Sequence, residues 1–454
     1  MTAIVEPTYR GLVKLATPVV ISMISLTVMG IVDTLIVGFL GTEPLAAVGF
    51  VVMLGMNVFA FATGFMGAVT TIVSQSFGAK DFFSCRTVVW QALFFSVLLG
   101  IVYGGLSFFV GDLLRFMRLS PEVQNFGTLY GRWYLAGGFF VAFNQAMTGF
   151  FQGISNTKIP MIVAVIANLV NAVLCWVLVL GWQGSAGFGV VGAAWGTLIA
   201  SALSSVLFWF FFRWNSLGRE ELQSNSILNF AMFRRLAKLG FPIGSQMFLG
   251  IASFLVFYIF VGWLGDTMLA ANRIVLQMDQ LAFMPVIGLA QATQVVVGQY
   301  LGARQPVVAK QMAHKAILLG FVMEVSMGFL YLLFAGPIVR FFSQDPVVVH
   351  LGITILHFAL IWMVFDAVIF ISLFALRGAG DVRWTLAAVL LIGYGVRLPL
   401  IYVLAFTLGY GFFGAWVGLI FGFILLSLVL YGRFASGRWM KRYETSGLVP
   451  ETSS

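Results

Sequence analysis

Residues Thr17 to Gly49 read TPVVISMISLTVMGIVDTLIVGFLGTEPLAAVG. The part up to Leu40 is apolar for long enough to cross a bilayer, since about 20 helical residues span the hydrocarbon core. It nevertheless holds one carboxylate, Asp33, well inside the run. A charge at membrane depth costs about 3 kcal/mol or more unless paired, protonated or hydrated, so an intramembrane acid is a functional candidate. Pro18 lies early in the same helix, where a missing donor and a crowded preceding turn bend it.

The rest of the chain repeats this character. Of its 454 residues 61% are hydrophobic and 9% charged, against about 25% charged in a soluble domain. This composition predicts an all-α membrane protein. Cys85 and Cys175 fall in different segments, and His314, His350 and His357 form no ligand cluster. Neither a disulfide framework nor a metal site is expected. The chain therefore reads as a non-enzyme without a cofactor. Arg10 and Lys14 precede an apolar run too long for a signal-peptide core, so the first helix is expected to remain as an anchor.

Twelve apolar runs between residues 10 and 435 predict 12 transmembrane helices, which puts both termini on one side. The basic residues gather on that side, from Arg10, Lys14 and Lys80 through Arg213, Arg234 and Lys238 to Arg433 and Arg438. Only Arg115, Arg118, Arg132 and Arg340 fall on the other. The positive-inside rule then predicts cytoplasmic termini in a cell inner membrane. This distribution accounts for the net charge of +9 without a nucleic-acid partner. The lipid bilayer is the expected surrounding and a monomer the expected state.

The longest polar connection, Arg213 to Leu236, lies midway along the chain. The expected layout is a first lobe over 1–218, a linker over 219–236, a second lobe over 237–442 and a disordered tail over 443–454. The lobes repeat in sequence. Adding 224 places Leu12, Lys14, Leu15 and Pro18 on Leu236, Lys238, Leu239 and Pro242. The same shift carries VGFLG (37–41) to VGWLG (261–265) and VSQSFGAK (73–80) to VGQYLGAR (297–304). Further on, FQGISN (151–156) answers LRGAGD (376–381), and GVVGAAWG (189–196) answers GFFGAWVG (411–418). One register held over some 70 positions indicates duplication. A six-helix unit repeats in parallel, giving two pseudo-symmetric bundles, and transporters of this kind bind substrate near the midplane.

The repeat, the helix count and these motifs together resemble the MATE family of multidrug and toxic-compound exporters over nearly the whole chain. FFQGISNTKIPMIV (150–163) is similar to that family's signature after the fourth helix, and LRGAGDV (376–382) to its second-half counterpart. The resemblance implies a cation-coupled antiporter that exports amphipathic, often cationic, small organic compounds. It also implies a small cation site in the first bundle, formed by Asp33, Asn171 of the fifth helix and Thr197 of the sixth. Four residues past Asn171, where many members carry Asp or Asn, this chain has Cys175. Positions i and i+4 share a helix face, so Cys175 is expected to look into the site. A thiol is a poor ligand for a hard cation. The expected coupling ion is therefore the proton, with a weak sodium site at Asp33, Asn171 and Thr197 as the alternative. Each of the three also has a structural reading, as an internally bonded acid or as polar contacts between helices.

The second half holds its own ionisable set. Asp366 matches the tenth-helix aspartate that one branch of the family uses for coupling, while the matching seventh-helix glutamate is here Gly250. Glu324 and Arg397 lie at a depth similar to Asp366, so an Asp366–Arg397 ion pair competes with a protonatable role. Asp279 either lines the substrate cleft or is a hydrated structural acid; Arg273, six residues before it, lies on another face. The alternative to an exporter of the MATE type is a flippase for a lipid-linked precursor. Such proteins tend to have further helices and a cationic cavity. A channel or receptor fits the duplicated bundles and buried acids less well.

Overall fold

A computed structural model describes residues 4–181, 186–215 and 229–440. Most of the linker expected at 219–236 and the whole tail lie outside these residues. The structure is helical throughout, with no strand among the described residues. In hydrocarbon the backbone finds no water, and a helix satisfies its polar groups internally. The membrane-crossing elements are α1 (Tyr9–Gly38), α2 (Thr42–Gly78), α3 (Phe82–Phe108) and α4, made of Pro121–Ala136 and Gly138–Gly153. They continue as α5 (Lys158–Leu180), α6 (Gly189–Trp214), α7 (Phe230–Trp263), α8 (Asp266–Gly302) and α9 (Pro306–Phe342). The last three are α10 (Pro346–Gly378), α11 (Val382–Thr407) and α12 (Gly411–Ala435). A short helix, Val110–Phe116, joins α3 to α4. Residues Phe230 to Leu236, placed in the linker by their polarity, are the first turns of α7, and Leu236 is fully buried.

The duplication is visible in the backbone. Lys80 and Arg304, related by the shift of 224, both take left-handed φ values, 60° and 59°. After each, the next amide reaches back across the turn, Asp81 to the Ser76 carbonyl and Gln305 to that of Tyr300, both at 2.8 Å. This is the helix-ending motif that satisfies otherwise orphaned carbonyls. A left-handed conformation costs an L-residue roughly 1–2 kcal/mol. A cationic side chain at a helix C-terminus offsets part of that cost. The turns at Gly41 and Gly265 match as well, with φ of 116° and 123°.

The described chain divides into two compact units. The first comprises Ile21–Phe77 and Asp81–Gly244, and the second Ile4–Val20, Gly78–Lys80 and Ser245 onward. The boundary cuts both leading helices at the same repeat position, Val20 in α1 and Gly244 in α7, two residues past Pro18 and Pro242. The leading segment Ile4–Val20 packs in the second unit, where Tyr300 Oη donates to the Val5 carbonyl at 2.7 Å and Lys315 Nζ to that of Pro7 at 2.9 Å. The leading turns of α7 pack in the first, with Phe241 against Phe61 and Phe65.

Within each unit, glycines set how closely the helices approach. A Cβ at Gly153 would lie 2.7 Å from Val73, and one at Gly378, its repeat partner, 2.4 Å from the Gln294 carbonyl oxygen. This contact accounts for the glycine in FQGISN and LRGAGD. Between α5 and α6, a Cβ at Gly192 would lie 2.2 Å from the Leu178 carbonyl oxygen. Rigid backbone cannot yield there, so Gly192→Val should cost about 1–3 kcal/mol through overpacking. In detergent its melting temperature should fall well below that of Gly104→Ala, a position with open space around it. Equal melting of the two variants would refute the assignment.

Candidate functional site

In the first unit α1, α4, α5 and α6 bring a small set of polar side chains together. Asn168 Nδ2 donates to Ser25 Oγ at 2.8 Å and fixes α1 alongside α5. Two turns further along α1 is Asp33. Its carboxylate accepts a hydrogen bond from the Cys175 thiol, which is fully buried. Asn171, one turn before Cys175, donates from Nδ2 to Thr197 Oγ1 at 3.4 Å, and Thr197 donates to the Ala193 carbonyl at 3.1 Å. Gly196, beside Thr197, lets α6 approach α5, since a Cβ there would lie 3.3 Å from the Cys175 amide nitrogen.

Asp33, Asn171, Cys175 and Thr197 thus lie together as the family resemblance implies, and the structural alternative of an acid bonded to Asn171 or Thr197 is not what is found. Asp33 is held by the thiol rather than by Asn171 or Thr197. Two acceptors in the site, Asp33 Oδ1 and Asn171 Oδ1, are buried without a hydrogen-bond partner. Buried acceptors normally have partners, so this pair is the least satisfied part of the site.

Two residues of α4 complete the site. The Tyr130 hydroxyl lies within hydrogen-bonding reach of Thr197 and its ring stacks on Tyr134 at 5.5 Å, and both phenols lie within electrostatic reach of Asp33. Gly55 of α2 leaves room for the Tyr134 ring, which a Cβ would approach to 2.3 Å. A pair of tyrosines at i and i+4 in TLYGRWYLAG (128–137) was the available signal, since two hydroxyls on one membrane helix face need partners.

The second unit gathers a different set. Asp279 on α8 accepts from Trp362 Nε1 on α10 at 2.8 Å. Glu324 on α9 is 2% exposed, and its Oε2 has no hydrogen-bond partner. Asp366 is buried and within electrostatic reach of Asp279, Glu324 and Arg397. The ion pair between Asp366 and Arg397 is not formed. Arg397 Nη2 instead donates to Ser253 Oγ on α7.

Local backbone explains the difference. Pro399 has no N–H to give the Gly395 carbonyl. The preceding turn, Gly393–Arg397, is widened, and the Leu398 amide reaches the Gly393 carbonyl five residues back. The stem of Arg397 lies in a notch at Gly422, where a Cβ would be 2.5 Å from its Cγ. Phe254 and Phe423 flank the guanidinium, each ring centroid at 5.5 Å. Gly250 has open space at its Cβ position. Among the described residues no cluster of His, Cys, Asp and Glu is arranged to hold a metal ion.

Among the described residues, twelve helical elements in duplicated sets, eleven of them long and apolar enough to cross a membrane, define a polytopic membrane protein. A family model described as MatE matches residues 18–177 and 242–403, and the chain belongs to that family. It is 30% identical over 452 residues to "Probable multidrug resistance protein NorM" of Geobacillus kaustophilus, covering 97% of each chain. To "Multidrug resistance protein NorM" of Vibrio cholerae it is 27% identical, over 92% of this chain and 93% of that one. Among solved structures it superposes at a TM-score of 0.86 on an outward-facing multidrug resistance MATE family transporter, at 23% identity over 96% of each chain. The eukaryotic MATE transporter AtDTX14 gives the same TM-score at 21% identity, over 96% of this chain and 97% of its own.

Since Asp366 and Arg397 are not paired, Asp366→Asn strands no ion-pair partner and should insert and melt like the wild type. Size-exclusion profiles and melting temperatures check this, and aggregation rescued by adding Arg397→Gln would show a structural pair instead.

Proposed function

We propose that this chain is a proton-driven antiporter that exports amphipathic, often cationic, organic compounds across a bacterial inner membrane, with both termini cytoplasmic. The observation that carries the reading is the Asp33 site, a membrane carboxylate with one oxygen bonded to a thiol and the other unpartnered. The multidrug resistance names of the relatives support export of small organic compounds and do not favour the flippase.

A sodium ion in a dry helical pocket must replace its lost hydration with several oxygens. Around Asp33 the oxygens are few, and Cys175 presents sulfur and a hydrogen. A proton needs one basic oxygen. Bound at Asp33 Oδ1, it turns an unpartnered acceptor into a donor, which suits the unpartnered Asn171 Oδ1 in the same site. One proton moving through roughly 150 mV releases about 3.5 kcal/mol, enough for a substrate gradient of a few hundredfold. Asp279, Glu324 and Asp366 form the second unit's share, drawing cationic substrate by charge.

Two outcomes follow in proteoliposomes loaded with ethidium. Asp33→Asn keeps the shape but cannot ionise, so gradient-driven transport should vanish while insertion stays intact; transport within twofold of wild type sinks the reading. Wild-type transport should follow an imposed pH gradient and ignore a sodium gradient at clamped potential. Cys175→Asp should introduce sodium dependence by adding a second carboxylate beside Asp33, and sodium-driven transport by the unmutated protein would exclude the role given to the thiol.

A further inference from the structure

The duplicated motifs VSQSFGAK and VGQYLGAR each carry a glutamine, Gln75 and Gln299, related by the shift of 224. Each fastens the start of a leading helix within its own unit. Gln75 Oε1 accepts from Arg235 Nη2 of α7 at 3.0 Å in the first unit. Gln299 Oε1 accepts from the Val5 amide, just ahead of α1, at 3.3 Å in the second. The two fastenings differ in kind. The repeat partner of Arg235 is Gly11, so α1 has no side chain to extend from that position. Gly11 makes room for backbone instead, since a Cβ there would lie 2.4 Å from the Glu6 carbonyl oxygen. The segment ahead of α1 folds back over its first turn, where Thr8 Oγ1 accepts from the Gly11 amide at 3.0 Å as a helix cap does.

Apolar packing secures the start of α7. Phe233 stacks on Phe95 at 4.3 Å, Phe241 meets Phe65 at 5.6 Å, and Leu236 is fully buried. The hold on Ile4–Tyr9 is thinner and mostly polar. Besides the bond to Gln299, the Val5 carbonyl accepts from Tyr300 Oη and the Pro7 carbonyl from Lys315 Nζ. Lys315 Nζ also lies over the Tyr9 ring, 5.7 Å from its centroid. Ile4 and Val5 are partly buried against the second unit's core, while Glu6, Pro7, Thr8 and Tyr9 are exposed. A segment with few buried apolar contacts and exposed backbone bonds belongs to the part of a structure that opens first. We propose that Ile4–Tyr9 is a releasable strap, which when closed fastens the leading turns of α1 in the second unit and which must open for transport. α1 passes from the second unit into the first at Val20 and carries Asp33 beyond that point. In two-bundle carriers access alternates as one bundle moves against the other. A helix held in both must yield at one end, and the strap is the end with little to hold it. What release serves rests on the export reading, but opening of the strap is measurable without transport.

The first measurement is the rate at which a charged maleimide labels Val5→Cys in the purified full-length protein in lipid nanodiscs. Cys85 and Cys175 are buried, and the rate is scored while both stay unlabelled, so that local opening is read and not unfolding. Adding Tyr300→Phe with Lys315→Gln removes two donors to the strap and should speed labelling at least fivefold. Adding Gly11→Ala, whose Cβ displaces the Glu6 carbonyl, should speed it to a similar degree. Unchanged labelling in either background overturns the proposal, and if the first does not fold, Gly11→Ala alone decides. The second measurement joins Pro7→Cys to Lys315→Cys, at an exposed and a half-buried position, with a flexible bis-methanethiosulfonate that reductant cleaves. In proteoliposomes the joined protein should move ethidium at least tenfold more slowly than the same protein after reduction. Transport by the joined protein within twofold of the reduced one overturns the proposal and leaves the export reading standing. Labelling that depends on Tyr300, Lys315 and Gly11, in a protein that moves no ethidium before joining, rejects the export reading and leaves the strap.

Discussion

Hydrocarbon offers no hydrogen bonds, so every polar group this chain places at membrane depth must find its partner inside the protein. Helices meet that demand for the backbone, and glycines then decide how closely the helices lie. Gly153 against Val73 and Gly378 against the Gln294 carbonyl are the same contact made twice. Around those contacts polar side chains close on one another. Asn144, for example, donates from Nδ2 to the Ser201 carbonyl at 3.0 Å and accepts at Oδ1 from Ser205 Oγ at 2.8 Å. Against this background an unpartnered oxygen is informative, because leaving one in hydrocarbon costs several times what an ordinary hydrogen bond contributes.

Besides Ser76, Asn272 and Ser372, the unpartnered buried oxygens among the described residues lie on three side chains. Asp33 and Asn171 contribute one each within a single site, and Glu324 contributes another in the second unit. By contrast, the charges near the helix ends are closed. Arg433 Nε donates to Asp381 Oδ2 at 2.8 Å and its guanidinium lies 5.2 Å from the Trp384 ring centroid. Arg377 donates twice to Gln246 Oε1, at 3.1 and 2.7 Å. These are the polar contacts that hold the LRGAGD turn, and they leave it no free carboxylate. The motif that helps mark the family in sequence is thus a packing device, and the chemistry sits elsewhere.

Much of the fold was legible because it rests on local demands that sequence must record. Runs of apolar residues, glycines at positive φ and the repeated VSQSFGAK and VGQYLGAR turns report helices, ends and duplication directly. The gathering of Asp33 with Cys175 was legible too, since i and i+4 share a face. What could not be read was partner choice. Tyr130 and Tyr134 look like ordinary aromatic packing until α6 brings Thr197 to the phenol. Arg397 was matched to Asp366 by depth on a regular helix, but the widened turn before Pro399 shifts its phase and sends it to Ser253. Neither the turn nor the notch at Gly422 follows from residue spacing.

The repeat register sharpens what the two units do differently. Under the shift of 224, Asp33 falls on Phe257, which is buried and meets Trp416 edge-on at 5.6 Å. Running the shift backward, Asp279 falls on Gly55, the position emptied to admit the Tyr134 ring. These two acids therefore correspond to aromatic contacts in the other unit. Two copies of one polar site would place equal acids at equal depth in both bundles. Here duplication kept the turns and the glycine contacts, which every bundle of this shape requires, and the buried acids diverged. That divergence gives the chain an acid–thiol site in the first unit and a cluster of three acids, Asp279, Glu324 and Asp366, in the second. The proposed exchange of a proton for an organic compound draws on that inequality, because a single carboxylate oxygen is enough to hold a proton.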